Sequence, residues 1–322
     1  MAACGGSDSS SATDAPTVAT VSATDATTAT VAPDIAAPVT APTETAAATT
    51  VPATVAPDTA PPATAAFDGP HFVDVIDAAL APYAGAIGLP ADQAAVGAAA
   101  PLAADIPLPP GAAITGAGRR VEESFGEFDE TQQVGLGPAG TGAALEAFGA
   151  AAPAGWTQAS YSTSGTLFTL LLTNDADGRR AVYVVQEDAT DTSYPPFEVR
   201  VTPTQSTLVE PAWAAALPRL GDGTLVEVAE AVGQVSAGFA VAGNGFVTAR
   251  WRYPESALSA LEAYLESGVV TSAGFTYDQD LFNGFEQMVD VTAGDWTGTV
   301  IIGQATINDE VFYDLVWTLQ RP

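Results

Sequence analysis

From residue 106 onward the chain carries two hydrophobic periods. In GFVTARWRYP, Val247, Ala249, Trp251 and Tyr253 alternate with Thr248, Arg250 and Arg252, which predicts a strand with one apolar face. In PESALSALEAYLESG, which follows, Leu258, Leu261 and Leu265 recur three and four residues apart, so the pattern becomes helical. Pro254 suits the first turn of that helix, and Gly268 suits its C-terminal cap. The closing stretch VFYDLVWTLQ sends Val311, Tyr313, Leu315, Trp317 and Leu319 to one side of a strand. Earlier, TLFTLLLT and RRAVYVVQED flank NDADG as the arms of a hairpin, and FEVRVT alternates after them. Ahead of all these, FVDVIDAALAPY predicts a helix with Val73, Ile76, Leu80 and Tyr83 inward and Asp74 and Asp77 outward; Pro70 opens it and Pro82 ends or kinks it.

The same order of elements is read twice. Leu145-Glu146-Ala147-Phe148 matches Leu261-Glu262-Ala263-Tyr264, and Gly155-Trp156-Thr157 matches Gly274-Phe275-Thr276. Strands outnumber helices and hairpins join them, so the expected class is α+β: an antiparallel sheet, or sheets, with helices packed on one face, in two similar copies. The expected organisation is a disordered tether over 1–66, a helical connector over 67–104, a first copy over 105–203 and a second over 204–322. The tether expectation rests on composition. Residues 7–66 are rich in Thr, Ala, Pro and Val with six acids and no base, and they bury too little apolar surface to offset the entropy of ordering.

Charge narrows the function. The chain holds 38 acidic and nine basic residues, a formal charge of −29, and every basic residue is Arg. A surface this acidic repels phosphate backbones and anionic headgroups, so nucleic acid is an unexpected partner. One cysteine excludes an intrachain disulfide, and no apolar run is long enough for a membrane helix.

That cysteine stands at position 4. Ala2, Ala3 and Cys4 followed by Gly5 and Gly6 resemble the processing site of bacterial lipoproteins. The resemblance implies a diacylglyceryl group on Cys4, an extracytoplasmic location and attachment to the cell membrane through that lipid, with the polar segment as spacer. Met1 occupies the usual leucine position, and the basic and apolar parts of a signal peptide do not precede it.

Four stretches carry candidate chemistry. Gly135, Gly137 and Gly140 fit G-x-G-x-x-G ahead of a predicted helix at 142–152, but no carboxylate follows about 20 residues on, and Pro138 lacks an N–H for a phosphate. Asp175-Ala-Asp177-Gly178 opens like a calcium loop, yet Arg179 and Arg180 follow, so a hairpin turn is expected. EESFGEFDE, residues 122–130, gathers five carboxylates around Phe125 and Phe128 and reads as a solvated loop or edge strand. Arg250-Trp251-Arg252-Tyr253 is the first place to look for a ligand site; pairing of both arginines with nearby carboxylates competes with that reading.

Catalysis is constrained by subtraction. There is no Lys for Schiff-base or P-loop chemistry, the only Cys is at position 4, and the only His is His71, so no His or Cys zinc site is expected. No cofactor and no catalytic residue is assigned. The expected function is a surface-anchored, non-catalytic binding or envelope-associated lipoprotein with a cell-envelope or protein partner. The enzyme alternative is an extracytoplasmic hydrolase using a carboxylate pair.

Overall fold

The computed structural model describes residues 67–90, 106–138, 140–188, 196–221, 223–237, 240–282 and 286–322. Cys4, the polar segment 1–66 and most of the connector beyond its helix lie outside them.

The connector helix α1 spans Phe72–Ala86 and buries Phe72, Ile76, Leu80, Tyr83 and Ala86. Its inward stripe differs from the expected one at the start: Val73 faces solvent, and Phe72 packs against Phe275 and Trp296 with ring centroids 5.8 and 5.4 Å away. A phenyl ring removes more apolar area from water than an isopropyl group, so packing sets the rotation of the first turn. Pro82 neither ends the helix nor faces the core; it is exposed within it, while the buried Tyr83 and Ala86 hold the last turn.

Twelve strands follow among the described residues: β1 (Ala113–Ser124), β2 (Glu127–Gly137), β3 (Trp156–Ser164), β4 (Leu167–Asn174), β5 (Arg180–Gln186), β6 (Phe197–Ser206), β7 (Thr224–Ala237), β8 (Ala240–Pro254), β9 (Thr276–Phe282), β10 (Glu286–Ala293), β11 (Trp296–Ile307) and β12 (Glu310–Arg321). Helix α2 (Gly142–Ala150) stands between β2 and β3, and α3 (Ala212–Ala215) between β6 and β7. A 3-10 turn (Glu255–Ala257), α4 (Leu258–Glu266) and α5 (Val269–Ser272) stand between β8 and β9. The strands form one sheet in the order β3-β4-β5-β6-β2-β1-β7-β8-β12-β11-β10-β9. All its pairings are antiparallel, with β1–β6 in one half, β7–β12 in the other, and β1 bonded to β7 at the seam.

Period-two alternation decides what each face carries. Leu170, Tyr183, Val199, Val134, Val247, Trp251, Leu315 and Trp317 share one core with Phe72 and Ile76 of α1, Leu145 of α2, Trp213 of α3 and Leu261 of α4. Helices therefore cover that face. Thr141 caps α2 by accepting from the Ala144 N–H at 3.1 Å, and Gly268 takes the left-handed conformation, φ +76°, at the end of α4 as its position predicts.

Part of the other face is covered by the chain itself. At Gly233, φ +81°, β7 leaves its regular register, and Gln234, Val235 and Ser236 cross above β1, β2 and β6. Val235 is fully buried there with Ala229, Ala231 and Phe246, a second apolar cluster separate from the helix-covered core. The crossing needs a floor without side chains. A Cβ on Gly135 would lie 1.9 Å from the Gln234 carbonyl oxygen, and one on Gly116 would lie 2.5 Å from the Gln234 nitrogen. Beyond this floor the Ser236 N–H donates to Glu198, which is buried and ion-paired with Arg200.

Candidate functional site

The four residues singled out at 250–253 are divided between two faces. Trp251 and Tyr253 point into the helix-covered core, each 1 % exposed, and the Tyr253 hydroxyl donates to the Leu220 carbonyl at 3.1 Å. Arg250 and Arg252 point the other way, into a chain of ion pairs running across four strands. Arg120 meets Glu122 at 2.7 Å and Glu227 at 2.9 Å; Arg250 meets Glu227 at 2.9 Å and Asp314 at 3.8 Å. Arg252 meets Asp314 at 3.1 Å and Glu123 at 2.7 Å. Glu227 and Asp314 are buried, so the arginines offset the cost of keeping charge beneath the surface. For a pair with a buried carboxylate the desolvation cost roughly cancels the attraction, so the network places residues more than it stabilises the fold.

Where this network reaches the end of the sheet it borders a cleft of about 290 Å³, lined by Glu123, Thr224, Val226, Arg252, Tyr253, Pro254, Ile307 and Phe312. The guanidinium of Arg252 lies 5.9 Å from the Phe312 ring centroid. Apolar walls with one cation and one carboxylate are the usual make-up of a small-molecule pocket, and this cleft is near the lower limit of size for one. Arg252 and Tyr253 thus line a cavity, and Arg250 and Trp251 do not. A larger cleft of about 750 Å³ lies beside α1, with Ala84, Ile87, Asn244 and Arg321 among its walls. There Arg321 is held by Asp77 at 2.7 Å and lies 5.0 Å from the ring centroid of Trp296.

A polar cluster that the sequence did not single out sits beneath α1 and α3. The Tyr83 hydroxyl and the Trp213 indole N–H both donate to Glu230, at 2.7 and 3.0 Å. On the neighbouring strands Glu130 accepts from Gln132 at 2.7 Å and Ser206 at 3.0 Å and pairs with Arg119 at 2.9 Å. Burial and the adjacent Glu230 carboxylate push the Tyr83 phenol far above its ordinary range, because both oppose a phenolate. Only the alternation of β7, which turns Glu230 toward the helices, hinted at this role. Replacing Glu230 by alanine leaves two buried donors unpaired, and urea unfolding is expected to show a loss of about 2 kcal/mol; a loss under 0.5 kcal/mol would mean that water reaches both donors.

The other motifs resolve into structure. Gly135 is the floor of the crossing described above, and the Asp175–Gly178 segment is the β4–β5 turn, with Gly178 at φ +74° and Asn174 Oδ1 accepting from Ala176 at 2.9 Å. His71 lies at the start of α1, its Nδ1 2.9 Å from the Ala273 carbonyl oxygen. Among the described residues, no group of three or more His, Cys, Asp or Glu side chains is placed to hold a metal ion. No helix of the described residues is long and apolar enough to cross a membrane. Compared with protein-family models, curated proteins and solved structures, the chain matches none of them.

Proposed function

We propose that this chain is an extracytoplasmic lipoprotein, held at the cell surface through lipid on Cys4, whose folded part is a non-catalytic binding module. The anchor reading is supported by Ala2-Ala3-Cys4-Gly5 ahead of a long Thr, Ala and Pro segment. The observation that carries the binding reading is the 290 Å³ cleft, which Arg252 lines together with Glu123 among apolar residues. A small, largely apolar ligand with one polar group suits it, the polar group meeting the Glu123 and Arg252 pair. The non-catalytic reading draws on Glu198, Glu227 and Asp314, the buried carboxylates among the described residues, each engaged by arginine.

The folded part is further proposed to be two copies of one unit. Each half of the sheet holds six strands whose order from seam to edge is first, second, sixth, fifth, fourth, third, and each places a helix between its second and third strands. The matched tetrapeptides fall on α2 and α4, and the matched Gly155 and Gly274 both have positive φ, +82° and +90°, just ahead of the third strand.

Intact-mass analysis of the protein from its own cells tests the anchor. A diacylglyceryl mass on a mature N-terminal Cys4, and release of Cys4→Ser into the soluble fraction, are expected; an unmodified cysteine would remove the claim.

A further inference from the structure

The tip of the β1–β2 hairpin departs from what stability alone would select. Ser124 ends β1 and Glu127 begins β2, leaving Phe125-Gly126 as a two-residue turn with both φ angles positive, +53° and +85°. Such turns favour Asn-Gly or Asp-Gly, since a side chain with a bulky Cβ substituent is disfavoured in the left-handed region. The β11–β12 hairpin obeys the rule: its two turn residues, at φ +52° and +67°, are Asn308 and Asp309. Phe125 breaks it, and the ring gains nothing in return among the described residues, being fully exposed at 106 % of its reference area. Two costs coincide at one residue, a disfavoured backbone conformation and an aromatic ring left in water. The first also fixes the direction in which its Cβ leaves the turn.

Charge selects what the ring meets. Glu127 is exposed beside it, and Asp129 follows in β2. Glu122 and Glu123 lead into the turn on ion pairs with Arg120 and Arg252 that hold the end of β1 in place. The chain as a whole carries −29. A second copy would bring the same acidic hairpin and the same net charge toward it, and anionic lipid would be repelled as well. A protein surface with an apolar pocket and a basic rim satisfies both the ring and the charge.

We propose that the β1–β2 hairpin tip is a protein-docking knob, with Phe125 entering an apolar pocket of a partner whose rim carries lysine or arginine. The Phe125 ring is not among the residues that line the cleft, which the hairpin adjoins through Glu123, and the knob does not require the Cys4 anchor.

The test places a photoreactive benzoylphenylalanine at position 125 of the full chain in its own cells, with the same probe at exposed Val209 as the control. The expected result is a light-dependent adduct with one protein, its cross-linked peptide lying in an apolar pocket bordered by Lys or Arg. Adduct yield should fall several-fold between 0.05 and about 0.5 M salt, as screening of complementary charge requires. Excess unmodified chain should suppress the adduct, and Phe125→Gly should compete at least about tenfold more weakly, as removal of an aromatic anchor predicts. Glycine suits the positive φ, so this variant should fold with an unchanged or higher melting temperature. An adduct with lipid, an adduct with a second copy, a yield no greater than at position 209, or full competition by Phe125→Gly would each overturn the proposal.

Discussion

Between pH 10 and 12 the folded domain is expected to lose up to about 4 kcal/mol of stability per pH unit. Tyr83, Tyr183 and Tyr264 are buried, and burial pushes all three phenols well above the usual value near 10. The unfolded chain releases these protons near pH 10, while the folded chain keeps them. Stability is therefore intact below pH 10 and falls as pH rises beyond it, by about 1.4 kcal/mol per unit for each tyrosine. The composition isolates the effect, because the chain has no lysine to titrate alongside and its arginines remain charged. Urea unfolding at pH 8, 10 and 11 measures it, and a free energy that stays flat through pH 11 would refute it. The variant Tyr264→Phe sharpens the test. Its hydroxyl is buried without a hydrogen-bond partner, so removal should leave stability at pH 7 unchanged or raised by about 1 kcal/mol, and should cut the alkaline slope by roughly a third.

Alanine at Gly135 is expected to cost about 3 kcal/mol or more, the upper end of the overpacking range. The added methyl would meet the Gln234 carbonyl oxygen at 1.9 Å, and backbone cannot swing aside as a side chain can. To relieve the clash the 234–236 crossing must lift, which exposes Val235 and parts Ser236 from Glu198. Gly221 is the control, since a Cβ there meets nothing within 4 Å and its substitution should change little. Comparable midpoints for Gly135→Ala and Gly221→Ala in thermal unfolding would show that the crossing is not fixed as described. The glycine that resembled part of a phosphate-binding fingerprint is thus required by a neighbouring backbone.

The placement of the Arg250–Tyr253 stretch shows how far local pattern reaches. Alternation alone assigns Trp251 and Tyr253 to one face and Arg250 and Arg252 to the other, and the structure keeps that division. The partners were not legible, because Asp314 and Glu123 meet Arg252 from 62 and 129 residues away in sequence. Nor was the cleft, whose walls come from five different strands. Glu230 shows the same limit. Its inward direction follows from period two, but the two donors that engage it arrive on helices elsewhere in the chain.

By itself the sequence determined part of the element list, including β4, β5, β6, β8, β12, α1, α2 and α4, and the alternation of β8 and β12, because side-chain period and glycine or proline chemistry act within a few residues. It also determined the charge, and with the lipoprotein-like start it set the expectation of an anchored, extracytoplasmic chain. The tertiary structure alone decided that the strands join as one twelve-stranded sheet, that α1 turns Phe72 rather than Val73 inward, and that Gly135 is a packing residue. Each of these depends on which distant surfaces bury one another, and burial is a property of assembled elements that no local period records.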